Sequence, residues 1–235
     1  MFVHKLAATV RNIVPESLVR PIRKIGTAFL TPFEWSYHTG HFRSSLKGMA
    51  IDRGGEPLVW YTYAAIEFLR YKDFSNKHVL EFGAGQSTLW WASHAANVTS
   101  YENDRAWFER LRPKLPANVS LRFIEGLAPS IGEFADASRF DVIVIDGLGR
   151  LECAEITPDL LKDDGLIIFD NSEGTWGGDA DQTYPIIDLF RDKGFLRIDF
   201  YGWCPGGIAP SCTSIFFKPD CFLFAAADHP IRRIQ

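Results

Sequence analysis

From residue 78 onward, short apolar runs alternate with longer stretches of mixed polarity. The runs at 78–82, 98–102, 119–125, 140–146 and 165–170 read as β-strands. Two of them, Val142-Ile143-Val144-Ile145 and Leu166-Ile167-Ile168-Phe169, are apolar without interruption, the pattern of strands buried on both faces of a parallel sheet. Between them, residues 86–96, 104–115, 150–162 and 182–193 read as helices. Two more runs, 195–201 and 213–218, close the chain and are joined by a Gly/Pro loop too short for a helix. They predict an antiparallel hairpin at the sheet edge. The sum is an α/β fold, a doubly wound, seven-stranded, mostly parallel sheet whose last strand is antiparallel.

Upstream of residue 78 the pattern differs. In residues 1–31, Leu6, Val10, Ile13 and Val14 recur at helical spacing, as do Leu18, Ile22, Ile25 and Phe29, so this segment predicts an amphipathic helical arm. Residues 32–56 are aromatic and read as loop. Pro57 suits the first turn of a helix running to about Tyr71, with Leu58, Tyr61, Ala65, Phe68 and Leu69 mainly on one side. The expected organisation is an N-terminal arm and cap over 1–56 and a catalytic domain over 57–235.

Composition sharpens this picture. The 235 residues, 46% of them hydrophobic, can build one sizeable core. The formal net charge is −4, which argues against nucleic acid as a partner. That charge is unevenly placed. Residues 1–31 hold five basic side chains (Lys5, Arg11, Arg20, Arg23, Lys24) and one acidic (Glu16), leaving 20 basic and 28 acidic in the remainder, a net −8. The arm therefore suggests either peripheral contact with an anionic membrane or packing on its own domain or on a second subunit. No apolar run reaches membrane-spanning length. Four cysteines without a C-x-x-C pair fit a reducing, cytoplasmic setting, with Cys204 and Cys212 free rather than joined across their loop.

The chemistry concentrates at strand ends. The first strand runs into Glu81-Phe82-Gly83-Ala84-Gly85-Gln86-Ser87-Thr88. Glycines at such a turn let backbone approach a ligand, and the amides of Gln86 and Ser87 at the helix start can receive an anion. The second strand ends in Glu102, 19 residues after Gly83, where a carboxylate can take both hydroxyls of a ribose. The alternative for this region is a solvated Glu102 beside Asp104 as a helix N-cap. Turn and acid together favour a nucleoside-type ligand.

These residues resemble the class I S-adenosylmethionine-dependent methyltransferases, over about residues 57–218. Glu81-x-Gly83-x-Gly85 is similar to that family's first motif and Glu102 to its ribose-binding acid. Glu125-Gly126-Leu127-Ala128 resembles the segment beside the adenine, and 140–146 the fourth-strand motif. The resemblance implies S-adenosylmethionine as cofactor, held by Glu81, Gly83, Gly85, Ser87, Glu102, Glu125, Gly126 and Trp60. A nicotinamide motif fits less well, because Thr88 stands where a third glycine would. Asp146-Gly147-Leu148-Gly149 lacks the tetrapeptide of base-amino methyltransferases. Asp146 with Asp170-Asn171 is similar to the metal triad of catechol-type O-methyltransferases, which implies Mg²⁺ on those three residues. The family's base lysine has no counterpart, since Gly149 and Arg150 follow instead. Without metal, Asp146 is the expected general base.

The resulting expectation is methyl transfer to a small-molecule acceptor, at oxygen. A catalytically silent nucleoside-binding scaffold of the same fold is the alternative, and a nicotinamide oxidoreductase a more distant one. Trp60, Tyr63, His38, His41 and the loop 171–178 are candidates to overhang the acceptor. Trp90, Trp91 and Trp107 are assigned to packing.

Overall fold

The computed structural model describes residues 16–134, 139–147, 149–174 and 182–224. Its centre is a seven-stranded sheet built from β1 (His78–Phe82), β2 (Asn97–Glu102), β3 (Val119–Phe123), β4 (Phe140–Ile145), β5 (Leu161–Asp170), β6 (Leu196–Trp203) and β7 (Pro210–Phe217). The strand order is β3-β2-β1-β4-β5-β7-β6. The first five strands run parallel, and β7 inserts antiparallel between β5 and the edge strand β6.

Alternation along the strands divides the core into two layers. Val142, Val144, Leu166 and Ile168 face one side, where they meet Trp90, Trp91, Tyr61 and Leu69. Ile143, Ile145, Ile167 and Phe169 face the other, against Ile186, Phe190, Cys153 and Ala154. Every residue of β4 is buried, which is why its run carries no polar alternation. The helices covering these layers are α3 (Tyr63–Leu69), α4 (Gln86–His94), α5 (Arg105–Leu111), α6 (Arg150–Leu160) and α7 (Thr183–Asp192). The strand and helix expectations from residue 78 onward hold, with ends shifted by a few residues. The cysteines are free.

Before β1 the expected helical arm is present over its described part, from Glu16 onward, but the segment after it departs from expectation. Residues 32–56 are not loop: α1 (Glu16–Thr39) and α2 (His41–Lys47) occupy most of it. Pro32 lies inside α1, and the helix tolerates it because the turn before it is exposed and water can serve the freed carbonyl. The real punctuation is Gly40 and Gly48, with φ of +80° and +60°, which bound α2 in the left-handed region. Nor does a helix begin at Pro57. Leu58 N donates to Ala50 O at 2.9 Å and Ile51 bridges Pro57, so Pro57 sits in a β-bridge and the chain bends at Trp60 and Tyr61 before any helix begins. The run Leu58-Val59-Trp60-Tyr61 favours extended backbone, and the helix starts only where the Thr62 hydroxyl caps it. Leu6, Val10, Ile13 and Val14 lie outside the described residues.

Candidate functional site

Because β1, β2, β4 and β5 are parallel, their carboxyl ends share one edge of the sheet. The chain order reverses between β1 and β4 there, the usual position of a ligand crevice in such folds. A cavity of about 930 Å³ opens at this edge. The antiparallel β6–β7 pair sends its loop, residues 204–209, over the same edge, and Ser44, Ser45, Gly48 and Met49 close another side.

The glycine turn forms one wall. Gly83 has φ +94°, and a Cβ would come within 2.8 Å of the Gly147 backbone, so this position is closed to any side chain. Gly85 differs: its Cβ would meet nothing nearer than Ser87 Oγ at 4.0 Å, so its missing side chain leaves space to the cavity. Gln86 and Ser87, at the start of α4, line the same wall. Beneath it lies Glu81, fully buried and not on the cavity surface. Its Oε2 accepts from Thr88 Oγ1 at 2.5 Å and Ser100 Oγ at 2.7 Å. Its Oε1 has no partner. Burial pushes this carboxyl up to about 7, against the hydroxyls around it.

Glu102 lines the cavity at the end of β2. Its Oε1 accepts from the amides of Asn103 and Asp104 at 2.8 and 2.7 Å, and its Oε2 from Ala84 N at 3.2 Å. These amides fix the carboxylate in one orientation, and with two of them on Oε1 and one on Oε2, a lone pair of Oε2 is left for a ligand hydroxyl. Asp104 does cap α5, accepting from Trp107 N. Of the alternative reading of this segment, the Asp104 cap is present, while Glu102 is buried rather than solvated. Trp107, assigned to packing from sequence, instead lines the cavity, its Nε1 donating to Ala84 O at 2.6 Å. Trp90 and Trp91 are buried in the core. Glu125 and Gly126 are exposed and off the cavity wall; their neighbours Ile124 and Leu127 line it.

The opposite end of the cavity holds Asp146, Arg150, Asp170 and Asn171. Arg150 Nε donates to Gly147 O at 3.2 Å and Nη2 to Asn171 Oδ1 at 3.0 Å, while Nη2 stands 3.9 Å from Asp146 Oδ1. Asn171 Nδ2 donates to Ser211 Oγ, and Asn171 holds the one positive φ outside glycine among the described residues, +52°. Asp170 is buried, and its Oδ1 accepts from Thr213 Oγ1 at 2.6 Å. Burial, followed by the neighbouring Asp146, pushes Asp170 well above the ordinary carboxyl range. Burial raises Asp146 to about 6, with Arg150 pulling the other way. About a fifth of the Asp146 side chain stays open, and it opens onto the cavity. Both shifts favour the neutral acid, and only at Asp146 is Arg150 the main opposing influence.

This end does not suit Mg²⁺. The oxygen of Asn171 that would face an ion is taken by a guanidinium, which also stands beside Asp146. Among the described residues no cluster of three His, Cys, Asp or Glu side chains could hold a metal. The arrangement as folded already contains its cation, and that cation is Arg150.

Of the expected overhanging residues, Trp60 lines the cavity and donates from Nε1 to Pro205 O at 2.7 Å. His38, His41 and Tyr63 do not line it. His41 packs in one cluster with the Trp35 and Tyr63 rings and accepts from Gly206 N through Nδ1 at 3.3 Å, and burial lowers its pKa. Of the loop 171–178, residues 175–178 lie outside the described residues. Glu173 accepts from Ser211 Oγ and Cys212 N, pinning the start of that loop to β7.

No protein-family model and no curated protein matches this chain. Solved structures do. A candidate caffeoyl-CoA O-methyltransferase from Staphylococcus aureus matches with a TM-score of 0.53 at 16% identity, over 83% of this chain and 99% of that one. An O-methyltransferase from Bacillus cereus, solved in complex with SAH, matches with a TM-score of 0.52 at 18% identity, over 60% of this chain and 74% of that one. The chain has the Rossmann-like, seven-stranded fold of the S-adenosylmethionine-dependent methyltransferases.

Proposed function

We propose that this protein transfers a methyl group from S-adenosylmethionine to a small-molecule acceptor, at oxygen. The observation that supports this most is one cavity with two chemically distinct ends. The glycine turn and Glu102 form a nucleoside-shaped end, and Asp146 with Arg150 forms an end suited to moving a proton. Glu102, Asp104 and Asp146 line the cavity with Arg150 as the one basic side chain among the lining residues, an acidic lining that favours a cationic ligand.

S-adenosylmethionine supplies an activated methyl group on a sulfonium. The chain's own work is to hold, align and deprotonate. The fixed carboxylate of Glu102 would hold a ribose hydroxyl through Oε2, the Gly83–Gly85 turn would admit the ligand against bare backbone, and Ile124 and Leu127 would give it an apolar flank. Asp146, as a carboxylate, accepts the acceptor's hydroxyl proton. Arg150 orients that carboxylate and keeps it charged. No step passes through a metal.

Calorimetric titration with S-adenosylhomocysteine tests the reading. The wild type is expected to bind in the micromolar range and Glu102→Ala at least tenfold more weakly. Heat that is absent from the wild type, or unchanged by the substitution, would remove the cofactor assignment.

A further inference from the structure

The N-terminal helix presents an apolar face to solvent. Ile25, Phe29, Phe33 and Tyr37 are 62%, 68%, 75% and 65% exposed, and Leu30 beside them 53%. Spaced four apart, the first four advance about 40° per step around the helix and so cover an arc of about 120°. The arc does not face the domain. α1 reaches the rest of the molecule through Trp35 in its last turns, whose ring lies 5.2 Å from those of Tyr63 and His41. Arg20, Arg23 and Lys24, all exposed, lie outside the apolar arc. On α2, Phe42 and Leu46 are exposed in turn, at 61% and 72%.

A contiguous exposed apolar face of this kind marks a contact surface. We infer that α1 lies on an anionic membrane surface, its Ile25–Tyr37 stripe in the interface and its basic side chains at the headgroups. Charge selects this occupant. Residues 1–47 hold seven basic side chains and two acidic, while the rest of the chain holds 18 basic and 27 acidic. An anionic bilayer attracts the arm and repels the domain, which orients the molecule. Pairing of α1 with the α1 of a second copy would set like charges together. No described helix is long and apolar enough to cross a membrane, so the helix lies on the surface rather than through it. The orientation has a consequence for access. α2 carries both exposed Phe42 and Leu46 and the cavity-lining Ser44 and Ser45, so the cavity wall that α2 forms lies beside the lipid.

Co-sedimentation of the full chain with vesicles tests this. Vesicles containing phosphatidylglycerol in phosphatidylcholine are expected to bind the wild type at least tenfold better than pure phosphatidylcholine. Phe29→Glu with Phe33→Glu abolishes binding to both. Arg23→Glu with Lys24→Glu removes the anionic preference. Both variants alter exposed positions, and both are expected to bind S-adenosylhomocysteine as the wild type does, a readout that separates this inference from the methyltransferase reading. Equal or absent binding to the two vesicle types overturns the inference. So does a concentration-dependent dimer in sedimentation equilibrium that Phe29→Glu with Phe33→Glu dissociates while vesicle binding is absent.

Discussion

At Asp146 two effects oppose each other, and burial outweighs the neighbouring cation. Burial favours the neutral acid, while the Arg150 guanidinium favours the carboxylate, and the outcome is a group titrating at about 6. A carboxylate of this kind is mostly ionised at neutral pH and still basic enough to accept a proton, which suits it to the role of base proposed above. Asp146→Asn should therefore lower kcat by about 10²–10⁴ while leaving S-adenosylhomocysteine affinity within a few-fold. In the wild type, kcat/KM should fall below pH about 6, roughly tenfold per unit, and the limb should keep its position in EDTA, because an arginine rather than a divalent ion faces the carboxylate. A limb that moves by a unit or more on chelation would contradict this. Glu81 poses the stability counterpart. Its folded pKa of about 7 exceeds the ordinary 4.5, so between those values the folded state keeps a proton that the unfolded state has lost. Its contribution is present below pH 4.5, is lost as pH rises to 7, and stays lost above, with a span on the order of 3 kcal/mol. Urea unfolding across pH 5–8 should show this decline relative to Glu81→Gln, which cannot titrate; parallel profiles for the two proteins would refute it.

The elements that sequence located best are those whose burial leaves a one-dimensional trace. β4 and β5 are apolar without a break because both faces are covered, and the strand-end acids Glu102, Asp146 and Asp170 follow directly from finding those strands. α1 was expected as far as about residue 31, but its continuation to Thr39 and all of α2 were missed because Pro32 and a crowd of aromatics imitate a loop, while the glycines that bound α2 sit at its two ends. Pro57 misled for a related reason: a proline fits an extended bridge as well as a first helical turn. The cavity's remaining walls left no trace, since Met49, Trp107 and residues 204–209 converge only through the sheet order. Arg150 was visible but read as an absent lysine rather than a present cation. The β1–α4 turn is the element whose geometry is most constrained. Gly83→Ala puts a Cβ at positive φ and 2.8 Å from Gly147, and should cost about 2–4 kcal/mol. That corresponds to a Tm lower by roughly 5–15 °C, measurable by calorimetric melting; a change within 2 °C, roughly the size expected of a neutral surface substitution, would mean that the turn relaxes freely.

The whole molecule is organised so that one cavity touches nearly every part of it. α2, the β1–α4 turn, the end of β2, the ends of β4 and β5, and the β6–β7 loop all line it. A ligand filling that space therefore bridges both halves of the sheet across the β1/β4 reversal, and its binding energy acts on the fold as a unit. Ligand at a hundredfold over its Kd adds about 2.7 kcal/mol to a protein that binds only when folded. For a chain of this size that is a Tm increase of roughly 5–10 °C. S-adenosylhomocysteine should raise the Tm by this amount while the melt stays a single transition, because no part of the sheet is left outside the bridged set. Glu102→Ala should need at least ten times more ligand for the same shift, since it removes one end of the bridge without touching the strands. A melt that splits on ligand addition would mean that the nucleoside end stabilises the β1–β3 half alone, and that the β6–β7 loop closes over the cavity without coupling to it.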